Sequence, residues 1–269
     1  MGIVNLTFDS FSGDGLYSKA QNSKIKIQDY VLEYVHNLIR EGADIIDIGG
    51  QSTRPYSRPI PLKEEIERTI PVIKRLAKSI KVPISIDTYR AEVAKQALDN
   101  GALIVNDITG LRDPKMLKVV KRYNAGVVIM HMKGMPSTMQ INPKYRSLID
   151  EIIEFLDKAI NRALDIGIAQ DKIIIDPGIG FGKNFQHNLL IIKALKELKV
   201  LGKPILIGTS RKSFIGKILK VNPQNRLFGS ISSVCLAVIN GANIVRVHDV
   251  KETKQALEVL DRILKVSYR

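Results

Sequence analysis

The sequence has almost no cysteine and no long apolar run, and both absences exclude classes of protein. Cys235 is the single cysteine among 269 residues, so no intrachain disulfide can form. Its apolar setting, SSVCLAVI, predicts a thiol buried by packing rather than a catalytic one. No run of eighteen apolar residues is present, and the start, MGIVNLTFDS, lacks the basic and apolar stretches of a secretory signal. We therefore expect a cytoplasmic protein with no membrane span.

Several catalytic signatures are also missing. No His/Cys spacing suggests zinc, and no G-x-S-x-G or similar nucleophile motif is present. The glycine-rich stretch DPGIGFGK at 176–183 fits neither the dinucleotide-binding nor the P-loop spacing. Its glycines are instead expected to let the backbone lie close to a planar ligand, with Phe181 as an apolar wall.

Acidic residues are scarce relative to basic ones. Twenty-seven Asp and Glu stand against 41 Lys and Arg, which leaves a formal net charge of +14. Clustered lysines would favour nucleic-acid binding, but here they are spread over helix-like segments such as KALKELK. We therefore favour a solvated, Lys-rich surface with a bias towards anionic small molecules, and expect no nucleic-acid partner.

What the sequence does have is a regular alternation of short apolar runs and helical patterns. The runs are GIVN (2–5), DIIDIG (44–49), PISID (83–87), LIVND (103–107), VVIMH (127–131), KIIID (172–176), PILIG (204–208) and NIVRVH (243–248). Their β-branched content and short length predict buried parallel strands. Two clear helices, over 27–42 and 145–167, each end on a glycine. Eight strand–helix units predict a single-domain α/β fold, a (β/α)8 TIM barrel, with an open doubly wound sheet as the alternative.

Polar side chains fall at the ends of these predicted strands, where a barrel places its site. They are Asn5, Asp47, Asp87, Asn106, His131, Asp176 and His248. One such residue could simply cap a turn. Polar residues at seven of eight strand ends instead predict a binding site for a flat heterocycle with N–H donors and ring acceptors. His131 fits a structural and a catalytic role equally well.

Cations cluster at the same predicted rim. They are Arg54, Arg211, Lys212 and Arg246, joined by His248. Because barrel loops after strands seven and eight often hold phosphate, the pattern predicts a site for an anion with more than one negative charge.

The motifs as a set resemble the dihydropteroate synthase family, the folate-pathway enzymes that sulfonamides inhibit. Eight stretches match in the family's order: MGIVNLTFDSFSGDG, GADIIDIGGQSTRP, SIDTYRAEVAKQAL, VNDITG, VIMHMKGMPSTMQ, DPGIGFGK, GTSRKSFIG and VRVHDV. The resemblance implies a (β/α)8 barrel that condenses (7,8-dihydropterin-6-yl)methyl diphosphate with p-aminobenzoate. The implied products are 7,8-dihydropteroate and pyrophosphate, and sulfonamides are implied inhibitors.

The resemblance also assigns roles to residues. Asp87, Asn106, Asp176 and Lys212 are implied to hold the pterin, and Thr53, Arg54, Arg246 and His248 the pyrophosphate. Phe11, Pro55, Phe181 and Ser210 are implied to border the aryl amine. Asn5 is implied to place a Mg²⁺ that bridges the pyrophosphate oxygens, so Asn5, Asp87, Asp176 and Lys212 are the expected catalytic residues.

A homodimer is a further implication of the family. The run GSISSVCLAVINGA could serve either as a dimer face or for packing inside the barrel. The loop over residues 5–15 is expected to close over the pterin, where its phenylalanines cover the ligand.

Some residues depart from the family pattern. The family usually has Pro at Phe8, Glu at Gln51, and Asp-Gly-Gly at Gly13, Asp14 and Gly15. The expected domain, residues 1–269, also begins inside its first strand without the usual preceding segment, so either the sequence is truncated or the enzyme is short. These departures bear on loop behaviour and stability rather than on reaction type.

Two rival functions remain open. A pterin-binding methyltransferase acting on a methyl folate would share the Asp and Asn contacts but has no use for a pyrophosphate site. An inactive barrel kept as a binding partner predicts lost site residues, and none is lost.

Overall fold

Eight parallel strands form the centre of the part of the chain that the structure describes. The computed structural model describes residues 1–7, 16, 27–52, 57 and 59–266. Its strands are β1 (Gly2–Asn5), β2 (Ile46–Gly49), β3 (Ile84–Asp87), β4 (Ile104–Asp107), β5 (Gly126–Met130), β6 (Ile173–Asp176), β7 (Leu206–Ile207) and β8 (Ile244–Val245). Each overlaps one of the eight predicted runs, so the predicted strand order is confirmed.

The strands close into a barrel. Strands β1 to β6 pair in sequence order, and β7 pairs with β8. Parallel bridges join Ile175 to Ile205 and Gly2 to Val247, which links β6 to β7 and β8 back to β1. The Ile3 amide donates to Val247 O at 3.1 Å across this last seam. The alternative of an open doubly wound sheet is therefore wrong, and the fold is a (β/α)8 barrel.

Helices follow every strand of the barrel. In the described part of the chain they are α1 (Ile27–Arg40), α2 (Leu62–Leu76), α3 (Ala91–Asp99), α4 (Pro114–Arg122), α5 (Leu148–Asp165), α6 (Phe185–Lys193), α7 (Ser213–Leu219), α8 (Leu227–Ile239) and α9 (Val250–Leu264). The two helices predicted from periodicity are α1 and α5. Gly42 and Gly167, just beyond them, have φ values of +99° and +87°, which only glycine adopts without strain.

The two faces of the strands bury different groups. Outward-facing residues such as Val4, Ile48 and Ile86 join the large core between the strands and the helices. A separate apolar cluster contains Ile104, Ile174 and Ile244, each two residues before a polar residue at a strand end. Since side chains alternate along a strand, this cluster lies inside the barrel, beneath the polar residues. The barrel interior is thus apolar below and polar above.

Helix α8 has both an inner and an outer apolar face. Ser230, Val234 and Ala237 are buried, whereas Phe228 is 83% exposed. Cys235 has intermediate exposure, so the prediction of a buried thiol is only partly right. The run GSISSVCLAVINGA therefore packs on the barrel and also leaves an apolar surface.

None of the helices in the described part of the chain combines the length and the apolar character needed to cross a membrane.

Candidate active site

A cavity of about 770 Å³ opens at the carboxyl ends of the strands. Nine of the predicted site residues line it: Asn5, Asp87, Asn106, Asp176, Phe181, Ser210, Lys212, Arg246 and His248. They come from the ends of six strands and the loops that follow, and the chain brings them together because parallel strands all point their carboxyl ends to one rim.

The remaining predicted site residues lie outside the described residues. They are Phe11, Thr53, Arg54 and Pro55. The departures at Phe8, Gly13, Asp14 and Gly15, and the loop expected to close over the pterin, also fall there.

Arg246 lies at the centre of a buried ion cluster. Its Nε donates to Asp47 Oδ2 at 2.6 Å, and its Nη2 donates to Asp87 Oδ2 at 2.8 Å. Asn106 Nδ2 donates to the same Asp47 oxygen at 3.2 Å. Burial opposes the charge on Arg246, but the two carboxylates outweigh it and raise the pKa of the guanidinium. Asp47, which the sequence placed at a strand end without a role, thus holds two site residues in position.

Asp87 is a carboxylate with an elevated proton affinity. Burial raises its pKa to about 7, Arg246 and Lys212 oppose the rise, and the nearby Asp47 and Glu65 add to it. Its Oδ1 is buried and has no hydrogen-bond partner within the described part of the chain. Because buried polar atoms are nearly always paired, this oxygen is a natural acceptor for a ligand N–H.

Asp176 and Lys212 are two further charged residues of the cavity. Asp176 Oδ1 accepts from the Gly178 amide at 2.7 Å, and burial raises the pKa of Asp176 to about 6. Burial, with Arg246 nearby, lowers the pKa of Lys212 to about 8. The Lys212 ammonium lies 4.7 Å from the centroid of the Phe181 ring. The ring and the lysine stem therefore form one wall of the cavity.

The glycine-rich loop after β6 needs its glycines for close packing. Gly178 has φ +71°, and a Cβ there would lie 2.0 Å from the carbonyl oxygen of His131. Gly178 thus permits close packing against the backbone of the neighbouring loop, and the close approach of this loop to a planar ligand stays a prediction.

Lys183 is a buried cation that sequence reasoning did not select. Its Nζ lies 2.9 Å from His131 Nδ1 and donates to Phe181 O at 3.0 Å. Burial, with Lys183 beside it, lowers the pKa of His131 to about 2, so the imidazole is neutral. His131 is absent from the cavity wall and packs against the ring of Phe155, which favours the structural of its two predicted roles. The motif DPGIGFGK contains Lys183, but only the contact with His131, in the adjacent loop after β5, shows what the amine binds.

Strands β7 and β8 supply the predicted cationic rim. Ser210 Oγ lies 3.0 Å from His248 Nδ1, and the His248 amide donates to the same oxygen at 3.2 Å. Arg211 Nε donates to Asp249 Oδ2 at 3.0 Å, and its Nη2 reaches the other carboxylate oxygen. Arg211, named above among the predicted rim cations, lines the cavity and is charge-paired with Asp249, as Arg246 is with Asp47 and Asp87.

The apolar walls of the cavity were missed by sequence reasoning. They include Ile108, Met130, Met139 and Ile179. Each follows or ends a predicted strand, but apolar residues at such positions are indistinguishable from ordinary core in one sequence. Gln51 also lines the cavity, and its amide donates to Tyr89 Oη at 2.7 Å.

This arrangement suits a planar polar heterocycle with an anionic arm. Carboxylates and an amide provide acceptors, cations such as Arg246 lie beside them, and apolar side chains form the faces. No group of three or more His, Cys, Asp or Glu side chains that could hold a metal occurs among the residues that the structure describes.

Comparisons with known proteins agree with this chemistry. A family model described as "Pterin binding enzyme" matches residues 1–248. The dihydropteroate synthase of Synechocystis is 45% identical over 265 residues, which covers 98% of this chain and 89% of that protein.

Solved structures of similar proteins contain related ligands. The Yersinia pestis dihydropteroate synthase in complex with a sulfonamide drug matches with a TM-score of 0.93 and 39% identity, covering 99% of this chain and 94% of that chain. The Clostridium difficile dihydropteroate synthase in the presence of pteroic acid matches with a TM-score of 0.89 and 43% identity, covering 99% and 96%.

Proposed function

This chain belongs to the family of pterin binding enzymes, among the dihydropteroate synthases, and we propose that its cavity joins (7,8-dihydropterin-6-yl)methyl diphosphate to p-aminobenzoate. The products are 7,8-dihydropteroate and pyrophosphate, so the protein is a transferase of folate biosynthesis. The observation that carries the proposal is the convergence of Asp87, Asn106, Asp176, Lys212 and Arg246 on one cavity.

The pterin end of the site recognises N–H donors. Asp176 uses one oxygen for the Gly178 amide, which leaves the other for the aminopyrimidine edge. Asn106 is oriented by its bond to Asp47, so its carbonyl oxygen remains to accept and Lys212 to donate. Ile108 and Met130 lie against the faces of the ring.

The diphosphate end of the site is cationic. Arg246 and His248 line the cavity beside Asn5, and we assign them to the diphosphate together with Thr53 and Arg54. Two carboxylates hold the Arg246 guanidinium in a fixed position. A cation that is already fixed loses less conformational entropy when the anion binds.

The reaction needs positioning and charge stabilisation. The amine nitrogen of p-aminobenzoate forms a bond to the pterin methylene carbon, the carbon–oxygen bond to diphosphate breaks, and the amine loses one proton. Asp87 lies beside the pterin, where its negative charge stabilises the electron-deficient carbon. Phe181, Ser210 and the stem of Lys212, with Phe11 and Pro55, border the aryl amine and hold it near that carbon.

Mg²⁺ fits this donor set as a partner of the diphosphate. Asn5 offers one neutral amide oxygen to the cavity, and Mg²⁺ usually binds through substrate phosphates with few protein ligands. When bound, it neutralises charge on the leaving diphosphate. Arg246 and His248 contribute the protein's own positive charge there.

Chelation separates this arrangement from a structural metal site. Excess EDTA should stop turnover while the thermal unfolding midpoint of the free protein stays unchanged, because no described cluster holds a metal for folding. Turnover and differential scanning fluorimetry on the same samples give both readings. Full turnover in EDTA, or a midpoint that falls with it, would contradict the proposed role.

The methyltransferase alternative is tested by substrate choice. We expect the protein to form dihydropteroate from dihydropterin diphosphate and p-aminobenzoate, detected by mass spectrometry, and to leave methyltetrahydrofolate unchanged. The charge-bearing rim of Lys212, Arg246 and His248 favours the diphosphate substrate. Methyl transfer without dihydropteroate formation would overturn the proposal.

Sulfonamides should compete with p-aminobenzoate for the same wall of the cavity. Each is an aryl amine with a polar group opposite the nitrogen, so both fit against the wall that Phe181 and the Lys212 stem form. We also place the enzyme in the cytoplasm, which the single cysteine supports.

A homodimer is the assembly we propose. Phe228, Leu236 and Ile239 form an exposed apolar face on one side of α8, and such faces usually mark an interface. Phe228→Glu should convert the protein to a monomer in light scattering after size-exclusion chromatography. Leu103→Glu, at an exposed leucine before β4, is the matched control and should leave the dimer intact. A wild-type monomer, or a dimeric Phe228→Glu variant, would refute this interface.

A further inference from the structure

Helix α2 turns an unusual set of polar side chains towards the barrel. Glu65 is 1% exposed, and Arg68 and Thr69 are also buried. Burying a carboxylate is costly unless its partners are well placed. Glu65 lines no part of the cavity and belongs to none of the motifs used above, so the reason for its burial lies in what it contacts.

The first contact of Glu65 is the turn that follows β3. Thr88 Oγ1 donates to Glu65 Oε1 at 2.7 Å, and the Arg90 amide donates to the same Thr88 hydroxyl at 3.1 Å. Arg90 Nη1 lies 3.1 Å from Glu65 Oε2, as an ion pair without hydrogen-bond alignment. Thr88 directly follows Asp87, so this network fixes the backbone on which Asp87 stands.

The same helix also holds the turn that follows β2. Arg68 Nη1 donates to Gly50 O at 3.1 Å. A Cβ on Gly50 would lie 2.6 Å from Thr69 Cγ2 and 3.2 Å from the Glu65 carbonyl oxygen. The helix thus packs flush against the residue that precedes Gln51, which lines the cavity.

We propose that Glu65 is a positioning residue for the reaction, which acts through Thr88 and Arg90 to set the placement and charge state of Asp87. The proposal rests on the function assigned above, because it concerns the orientation of Asp87 towards the pterin. Glu65 itself touches no substrate.

A purely structural role for Glu65 predicts a different response to substitution. If Glu65 only filled space, an apolar residue of similar volume would serve as well or better, since buried ion pairs are often replaceable in that way. The placement of both of its oxygens on the segment 88–90 instead points to control of one strand end. A positional role predicts a catalytic defect larger than the stability defect.

Two variants test this at the level of single contacts. Glu65→Gln keeps the size and one acceptor but removes the charge that faces Arg90, and Thr88→Val removes only the hydroxyl. Each should lower kcat/KM for dihydropterin diphosphate about tenfold, the effect of losing one hydrogen bond to a charged group. The matched control is Glu64→Gln, the adjacent glutamate, which pairs with Arg68 and is 40% exposed. It should retain kcat/KM within about twofold.

The pH profile distinguishes positioning from lost stability. Asp87 is faced by Arg246, Asp47, Lys212 and Glu65, and Glu65 is faced by Arg90, Arg68 and Thr88. Glu65 adds to the raised pKa of Asp87, so its neutralisation should lower that pKa. The acidic limb of the kcat/KM profile should then move to lower pH in Glu65→Gln and stay in place in Thr88→Val and Glu64→Gln. A structural defect alone would lower kcat/KM by the same factor at every pH and leave the pKa of the acidic limb unchanged.

The outcomes separate this inference from the proposed function. Wild-type turnover with unaltered kcat/KM in both Glu65→Gln and Thr88→Val would overturn the inference and leave the function intact. Failure of the wild-type protein to form dihydropteroate from the two substrates would contradict the proposed function itself. Should Glu65→Gln fail to fold, Thr88→Val decides alone, with calorimetric pterin affinity as its second reading.

Discussion

Replacing Arg246 by Met should both destabilise the barrel and reduce turnover by two to three orders of magnitude. The substitution leaves Asp47 Oδ2 and Asp87 Oδ2 buried without their cation. Removing one partner of a buried ion pair costs about 3–5 kcal/mol. Loss of a fixed cation at the leaving diphosphate costs a further factor of about 10²–10³ in kcat. Urea unfolding and steady-state kinetics measure the two effects.

A double variant separates the effect of the Arg246 substitution on stability from its effect on turnover. Arg246→Met combined with Asp47→Asn removes one of the orphaned charges, so it should recover part of the lost stability and none of the lost turnover. Arg75→Met is the control, because Arg75 pairs with Asp29 at the half-exposed surface and its loss should cost less than about 1 kcal/mol. Near-normal turnover in either Arg246 variant would contradict the assignment of this residue to the diphosphate.

Replacing Asp176 by Asn should weaken pterin binding by about 10- to 100-fold, since a lost charged hydrogen bond costs roughly 1.5–3 kcal/mol. Asp176 Oδ1 is committed to the Gly178 amide. If the amide oxygen of Asn takes that place, its NH₂ group meets the ligand's own donors. Titration calorimetry measures the affinity, and Asp171→Asn, at an exposed aspartate, is the matched control.

The stability of Asp176→Asn should not decrease along with its pterin affinity. Burial raises the pKa of Asp176 to about 6, so its contribution to stability is present at acid pH and is lost as pH rises through that value. At pH 8 the neutral amide of Asn therefore avoids the cost of a buried charge, and the unfolding midpoint should not fall.

The pH dependence of binding gives a second test of Asp176. The ionised carboxylate is the acceptor, so wild-type pterin affinity should fall as pH drops through about 6. Asp176→Asn should lose this fall and keep only the one that protonation of Asp87 causes at about 7. Equal affinities of the two proteins at pH 8 would show that Asp176 does not bind the pterin.

The barrel and its polar rim were predictable because both follow from local patterns. A buried parallel strand is a short β-branched run, and its last residue faces the rim whatever its neighbours are. Asn5, Asp87, Asn106 and Asp176 could therefore be selected without any knowledge of contacts. Closure of the sheet into a barrel was predicted from the number of strand–helix units, which is eight.

The interactions between site residues were not predictable in the same way. Arg246 pairs with Asp47 and Asp87, which lie 199 and 159 residues earlier in the chain. A single sequence shows each of these residues at a strand end but not which pairs form. Glu65 is harder still, because a glutamate in the first turn of a helix is ordinarily a solvated residue that favours the helix dipole.

A crystal structure of the protein with 7,8-dihydropteroate tests the placement of the site most directly. The account predicts the aminopyrimidine edge within about 2.7–3.2 Å of Asp176 and Asn106, with the aryl ring against the wall that Phe181 and the stem of Lys212 form. The linking methylene should lie on the side of Asp87 and Arg246. A pterin bound without contact to Asp176 or Asn106, or outside the cavity at the carboxyl ends of the strands, would contradict it.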